Sequence, residues 1–219
     1  MTEDRILDVS VDEEVQVWSS RAHTHTHSLI CFVALYVSLF LCSDACDLTL
    51  DPNTANTRLI LSDENRKITC VKDHQPYPDY PERFDECHQV LCVESLTGRC
   101  YWEAEWSGRV KISVSYKGIS RKGGTDDCWF GSSDKSWSLY CSDNRFTVRH
   151  NNNRTVIPAI RSSSNRAGVY VDVSAGTLSF YSVSDTHIVT HLHTFNTTFT
   201  EPLCAGFRVY PDSSLSLCD

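Results

Sequence analysis

Beyond residue 45 the chain alternates between short apolar–polar runs and clusters of turn-forming residues. Arg109–Tyr116 is the clearest run. Val110, Ile112, Val114 and Tyr116 fall on one face and Arg109, Lys111, Ser113 and Ser115 on the other, which predicts a half-buried strand. Further strands are predicted at Tyr101–Trp106, Arg145–Arg149, Val169–Val173, Thr177–Ser182, His187–Phe195 and Leu203–Tyr210. Arg58–Ser62 and Lys67–Val71 flank Asp63–Arg66 as the arms of a hairpin. Turn chemistry recurs at Asp51-Pro52-Asn53, Asn151-Asn-Asn153, Ala175-Gly176 and Pro211-Asp-Ser213. No segment beyond residue 45 carries a helical stripe longer than about two turns. Many short, evenly spaced strands predict an all-β fold, an antiparallel β-sandwich of two sheets.

Residues 1–44 do not share this pattern. They hold seven acids against Arg5 and Arg21, so more than half of the chain's net charge of −8 lies there. Residues 1–27 are polar and end in the alternating His23, His25 and His27; residues 28–42 (SLICFVALYVSLFLC) are almost purely apolar. That run is shorter than the ~20 residues of a membrane-crossing helix. It has the length of a signal-peptide core, with Ser43-Asp-Ala45 as a small-x-small cleavage site, but an acidic rather than basic stretch precedes it. Three readings stay open: signal, membrane anchor, or a segment foreign to the fold. The expected organisation is a leader over 1–44 and one domain over 45–219.

With 219 residues, 41% of them apolar, the chain can build a sizeable core without a metal or disulfide staple. Its acidity argues against nucleic acid as a partner, because phosphate contacts need a basic stripe. Eleven cysteines, an odd number with no Cys-x-x-Cys pair, form neither a zinc site nor an evident disulfide framework. Cys70, Cys100 and Cys204 fall inside apolar strand patterns, where a free thiol behaves as a small core residue. Reduced thiols point to a cytoplasmic protein. Asn153-Arg-Thr155 and Asn196-Thr-Thr198 are glycosylation sequons that bear on function only if the domain enters the secretory lumen.

The sequence offers little for catalysis. It contains no phosphate-binding glycine loop, dinucleotide fingerprint or nucleophile elbow. Neither His23/His25/His27 nor His191/His193 has further ligands at metal-site spacing. The expectation is a protein that is not an enzyme and needs no cofactor or metal.

Several blocks in order carry a family resemblance. Leu48-Thr-Leu-Asp-Pro-Asn-Thr-Ala55, Leu59-Ile-Leu-Ser62 and Tyr77-Pro-Asp-Tyr-Pro-Glu-Arg-Phe84 come first. Gly98-Arg-Cys-Tyr-Trp-Glu-Ala-Glu-Trp106, Asp134-Lys-Ser-Trp-Ser-Leu139, the run Arg166 to Tyr181, and Pro202-Leu-Cys-Ala-Gly-Phe207 follow. Together they resemble the PRY-SPRY (B30.2) domain, with PRY over about 45–96 and SPRY over about 97–219. The likeness is greatest to the C-terminal domains of fish tripartite-motif and NOD-like receptor proteins. It implies a concanavalin-like jelly roll that recognises a protein or peptide through loops at one end, in innate immunity or ubiquitin-pathway targeting. The alternative is a secreted or membrane-tethered protein using residues 28–42, since butyrophilin-like receptors and fish venom toxins carry such domains too. Val173 departs from the aromatic residue common at its place. Nothing upstream resembles a RING finger, B-box, coiled coil or NACHT ATPase, so ligase activity is not carried over.

The signature residues Trp102, Trp106, Gly168, Asp172 and Gly176 are expected to be structural. The tryptophans are four apart on one strand face; the glycines serve close approach and a turn; Asp172 ties a turn. Function is expected in loops. Aromatic and arginine side chains dominate binding hot spots. The partner-binding candidates are therefore Tyr77 and Tyr80 in the proline-rich stretch 74–81, Arg121 in 116–129, Trp137 in 131–140, and Arg208 and Tyr210 in 207–211. Oligomeric state is left open.

Overall fold

The computed structural model describes residues 43–143, 145–159 and 165–218. The apolar run 28–42 and His23, His25 and His27 lie outside them. Among the described residues thirteen strands are formed: β1 (Leu59–Ser62), β2 (Lys67–Cys70), β3 (Gln89–Leu91), β4 (Arg99–Ser107), β5 (Val110–Tyr116), β6 (Ser136–Ser142), β7 (Arg145–His150), β8 (Asn153–Val156), β9 (Arg166–Asp172), β10 (Thr177–Val183), β11 (Val189–Asn196), β12 (Leu203–Val209) and β13 (Ser214–Leu217). They make two antiparallel sheets. One runs β1-β2-β13-β4-β9-β10-β11, the other β3-β12-β5-β6-β7-β8. The predicted sandwich is the observed one.

The main core fills the space between the sheets. Trp102 and Trp106 of β4 face it together with Val169 and Val171 of β9, while Ile112, Leu139, Val148 and Phe207 supply the opposite layer. Trp106 meets Phe146 edge-on, with ring centroids 6.1 Å apart. Glu103, on the other face of β4, pairs with Arg166 at 2.7 Å and accepts a 2.6 Å hydrogen bond from the Tyr101 hydroxyl.

That arrangement explains Gly168, which lies opposite Glu103 in the ladder. A Cβ there would come within 2.5 Å of the Tyr101 hydroxyl. Gly176 closes the β9–β10 turn at φ +67°, where a Cβ would meet the Thr197 carbonyl at 1.9 Å. Asp172 opens the same turn. Its carboxylate accepts bonds from the Ala175 backbone N–H at 2.8 Å and the Ser174 hydroxyl at 2.7 Å, and these contacts hold it below the usual carboxylate range.

Three expectations need correction. First, β5 is buried along both faces, not one. Residues 117–135 fold over the outer face of its sheet and seal a second small core of Phe84, Cys87, Leu91, Ile119, Cys128, Phe130 and Cys204. Second, the stretch 131–140 is a loop only in its first half, because Ser136 onward is β6, hydrogen-bonded between β5 and β7. Third, Cys100 is not a free thiol. The segment before β4 runs beside it: Cys46 N donates to the Tyr101 carbonyl at 2.9 Å and Tyr101 N to the Asp44 carbonyl at 2.8 Å. This brings Cys46 onto Cys100 in a disulfide.

Candidate functional site

Strand register assembles a broad concave surface on the outer face of one sheet. Arg208 of β12 lies opposite Lys111 of β5, Lys111 opposite Tyr140 of β6, and Tyr140 opposite Thr147 of β7. Four adjacent strands thus present one row of side chains, all on the face turned away from the main core. Two residues along each chain, Tyr210 and Arg149 extend the same face, and Arg154 of β8 sits directly across from Arg149. With Trp129 from the covering segment these residues line a hollow of about 490 Å³.

The hollow is cationic and aromatic. Arg208 lies between two rings, its guanidinium carbon 5.2 Å from the centroid of Trp129 and 4.9 Å from that of Tyr210. Tyr140 packs edge-on against Tyr210 at 5.8 Å. The Lys111 ammonium is buried, with 5% of the residue exposed, and donates to the Phe130 carbonyl at 2.8 Å. Burial brings its pKa down to about 7, and the Arg208 and Arg149 guanidiniums push the same way. Arg149 and Arg154 are like charges in a directly opposed pair, which destabilises a ladder. Four cations line the hollow and no carboxylate does. None of the four forms an ion pair among the described residues.

The candidates named from sequence do not converge on this place. Arg208 and Tyr210 are in it. Tyr77 is in a smaller hollow of about 190 Å³ with Thr57, Asp79, Arg83, Phe84, Asp85 and Lys122. Its hydroxyl donates to the Leu59 carbonyl at 2.9 Å. Tyr80 is 40% exposed and lines a third concavity with Asp51, Asn53 and Glu82. Between these two tyrosines lies Arg83, buried and unremarked in the sequence. It stacks on both rings and donates to the carbonyls of Pro78, Pro52 and Ala55. It pins the proline-rich stretch to the fold.

Arg121 clips its own loop, donating to the carbonyls of Ile119 and Lys117 with its guanidinium over Phe84 at 4.9 Å. Trp137 is corrected outright. It is 2% exposed, stacked on His150 at 4.6 Å and edge-on to Tyr116 and Phe199, so a partner cannot reach it. Lys111, Trp129, Tyr140, Arg149 and Arg154 were missed. The polar face of Arg109–Tyr116 was a signal for Lys111. The others needed the register of four strands.

Comparison with known proteins places the fold. Residues 48–96 match the PRY, or SPRY-associated, domain family and residues 99–218 match the SPRY domain family. The chain belongs to the PRY-SPRY family. Stonustoxin subunit beta of Synanceia horrida is 43% identical over 165 residues, which is 75% of this chain and 23% of the toxin subunit. Tripartite motif-containing protein 16 of Mus musculus is 39% identical over 166 residues, covering 74% and 29%. The stonustoxin structure superposes with a TM-score of 0.74 at 41% identity, over 81% of this chain and 28% of that one. The TRIM65 PSpry domain superposes at 0.75 and 27% identity, over 84% and 95%. The PRY-SPRY chain thus spans about a quarter of the length of its toxin relatives.

PRY-SPRY domains are non-catalytic protein-interaction modules, and that is the chain's class. Among the described residues no group of His, Cys, Asp and Glu is placed to hold a metal. The cytoplasmic location expected from the cysteines is overturned by these relatives. Toxin subunits of Synanceia and Scorpaena match over some three quarters of the chain, and the Cys46–Cys100 disulfide belongs to an oxidising compartment.

Proposed function

We propose that the chain is a secreted recognition module that captures an acidic segment of a partner protein in the Lys111–Arg154–Arg208 hollow. The observation that supports this is the set of four basic side chains lining one hollow with no carboxylate among its lining residues, walled by Trp129, Tyr140 and Tyr210, in a chain whose net charge is −8. Carboxylates entering the hollow would relieve the Arg149–Arg154 repulsion and form charge-assisted bonds to the Arg208 guanidinium, already oriented by stacking on Trp129 and Tyr210. The rings supply the apolar contact area that hot spots use. The alternative setting, innate-immune or ubiquitin-pathway target recognition, draws its support from the tripartite-motif relatives.

The binding test uses a fluorescent Glu-rich decapeptide and a Gly/Ser decapeptide as control. The wild type is expected to bind the acidic peptide with an affinity that falls with salt. Arg154→Glu with Arg208→Glu should weaken it by at least roughly tenfold, with the melting transition retained. Equal binding by wild type and double variant, both folded, would remove the hollow as the site. Export is tested separately. Asn153 and Asn196 are exposed in the structure, so chain tagged at the C-terminus and expressed in animal cells should carry N-glycans. No mobility change after glycosidase treatment, with protein retained in the cell lysate, would overturn secretion and leave the binding reading intact.

A further inference from the structure

Among the described residues seven cysteines are free thiols, and one pair among them is set apart by geometry. Cys87 lies just before β3 and Cys128 in the segment that covers the outer face of β5, yet their sulfurs are 3.1 Å apart and both residues are 0% exposed. Three other buried thiols make their contacts with groups other than a thiol. Cys70 faces the His88 imidazole, Cys204 the Ser115 carbonyl and Cys141 the Leu139 carbonyl.

Gln89 fixes the pair. Its side-chain amide donates to the Cys128 carbonyl at 2.9 Å and its carbonyl accepts from Phe130 N at 3.2 Å. The backbone N–H of the same Gln89 bonds the Cys87 carbonyl at 2.6 Å. One buried side chain therefore holds the Cys128 backbone two residues along the chain from Cys87. The sulfurs need close by only about 1 Å to reach bonding distance.

We propose that Cys87 and Cys128 are a second disulfide site, which bolts the covering segment 117–135 to the strand layer beneath it. The oxidant is a low-molecular-weight disulfide such as oxidised glutathione. The Cys87 thiolate attacks one oxidant sulfur and expels a thiolate. Cys128 sulfur then attacks the mixed disulfide at Cys87 and expels the second. One S–S bond forms in the protein, two S–H bonds break, and the oxidant leaves as two thiols that carry the protons. Both sulfurs are sealed in the native fold, so the bond forms during folding, before segment 117–135 closes.

The bolt also bears on the hollow. Trp129 follows Cys128 directly and stacks on Arg208, and the Phe130 carbonyl holds the Lys111 ammonium. Fixing Cys128 fixes one wall. The inference does not depend on what the hollow binds.

The test refolds reduced full-length chain in a glutathione mixture oxidising enough to form Cys46–Cys100 completely. Remaining thiols are alkylated in denaturant, and non-reduced peptides are mapped by mass. The expected result is a Cys87–Cys128 cross-linked peptide with neither cysteine alkylated. A Cys46→Ala/Cys100→Ala chain isolates the thermal effect, and its oxidised form should melt roughly 5–10 °C above its reduced form. Alkylation of both Cys87 and Cys128, or linkage of either to another cysteine, overturns the proposal. The wild-type peptide map decides even if that variant fails to fold.

Discussion

Trp137→Ala is expected to cost about 3–5 kcal/mol of unfolding free energy, read from urea titration, because the indole is a core side chain. It fills the space between β6 and the β11–β12 connection, with His150 stacked flat on it and Tyr116 and Phe199 edge-on at 5.4 and 5.3 Å. Removing it leaves three rings facing a void. The Tyr116 hydroxyl, which accepts from the Thr200 backbone N–H at 3.1 Å, would lose the packing that aims it. Tyr80→Ala is the contrast. That ring is 40% exposed and flanks Arg83, whose three bonds to carbonyls remain, so a change within about 1 kcal/mol is expected. A loss for Trp137→Ala no larger than for Tyr80→Ala would show that the indole is not a core side chain.

The difference between these tyrosine and tryptophan sites shows what the sequence could say. Periodicity located β4, β5, β10 and β12 within a residue or two, because each strand has a face in the main core and apolar side chains must alternate there. It misjudged the outer face of β5. Ser113 and Ser115 are polar yet buried, since the covering segment 117–135 is contributed by residues with no pattern of their own. It also read Trp137 as a loop aromatic. The serines around it, Ser136 and Ser138, resemble turn chemistry, but both lie in a central strand.

The hollow was half legible. Arg208 and Tyr210 stand out as arginine and aromatic beside a turn. Tyr140 and Thr147 join them only through the ladder order β12-β5-β6-β7, and such a row runs perpendicular to the chain. No spacing along one segment encodes it. The Cys46–Cys100 bond was hidden for the same reason, because it depends on residues 44–46 lying beside the start of β4.

Lys111→Met should make the protein more stable at pH 7, by about 1–4 kcal/mol, and that advantage should shrink as pH rises. The ammonium sits in the fold with its pKa lowered from 10.5 to about 7, through burial and the Arg208 and Arg149 charges, with Cys87 and Asp126 acting weakly the other way. In the unfolded chain the ordinary value returns. Between pH 7 and 10.5 the unfolded state therefore holds a proton that the folded state lacks, and folding stability rises with pH by up to about 1.4 kcal/mol per unit. Below pH 7 both states are protonated and the full penalty is present.

Methionine removes the penalty while filling similar space. The Phe130 carbonyl that loses Nζ keeps a weaker contact from the Ser138 hydroxyl at 3.4 Å. The window to measure is pH 7 to 9. Below it the lowered His88 and His193 begin to titrate, and above it the raised thiols of Cys70, Cys92, Cys141 and Cys204 oppose the trend. Across that window the gap between variant and wild type should close by roughly 2 kcal/mol. A gap that stays constant would mean the buried amine keeps its charge throughout. The cost is retained in the native sequence at the floor of the cationic hollow, where an acidic segment would raise the pKa again. Capture of the acidic peptide at pH 8 should accordingly take up a proton, measurable by calorimetry in buffers of different ionisation enthalpy, and affinity should fall as pH rises above 7. In Lys111→Met the proton uptake should vanish.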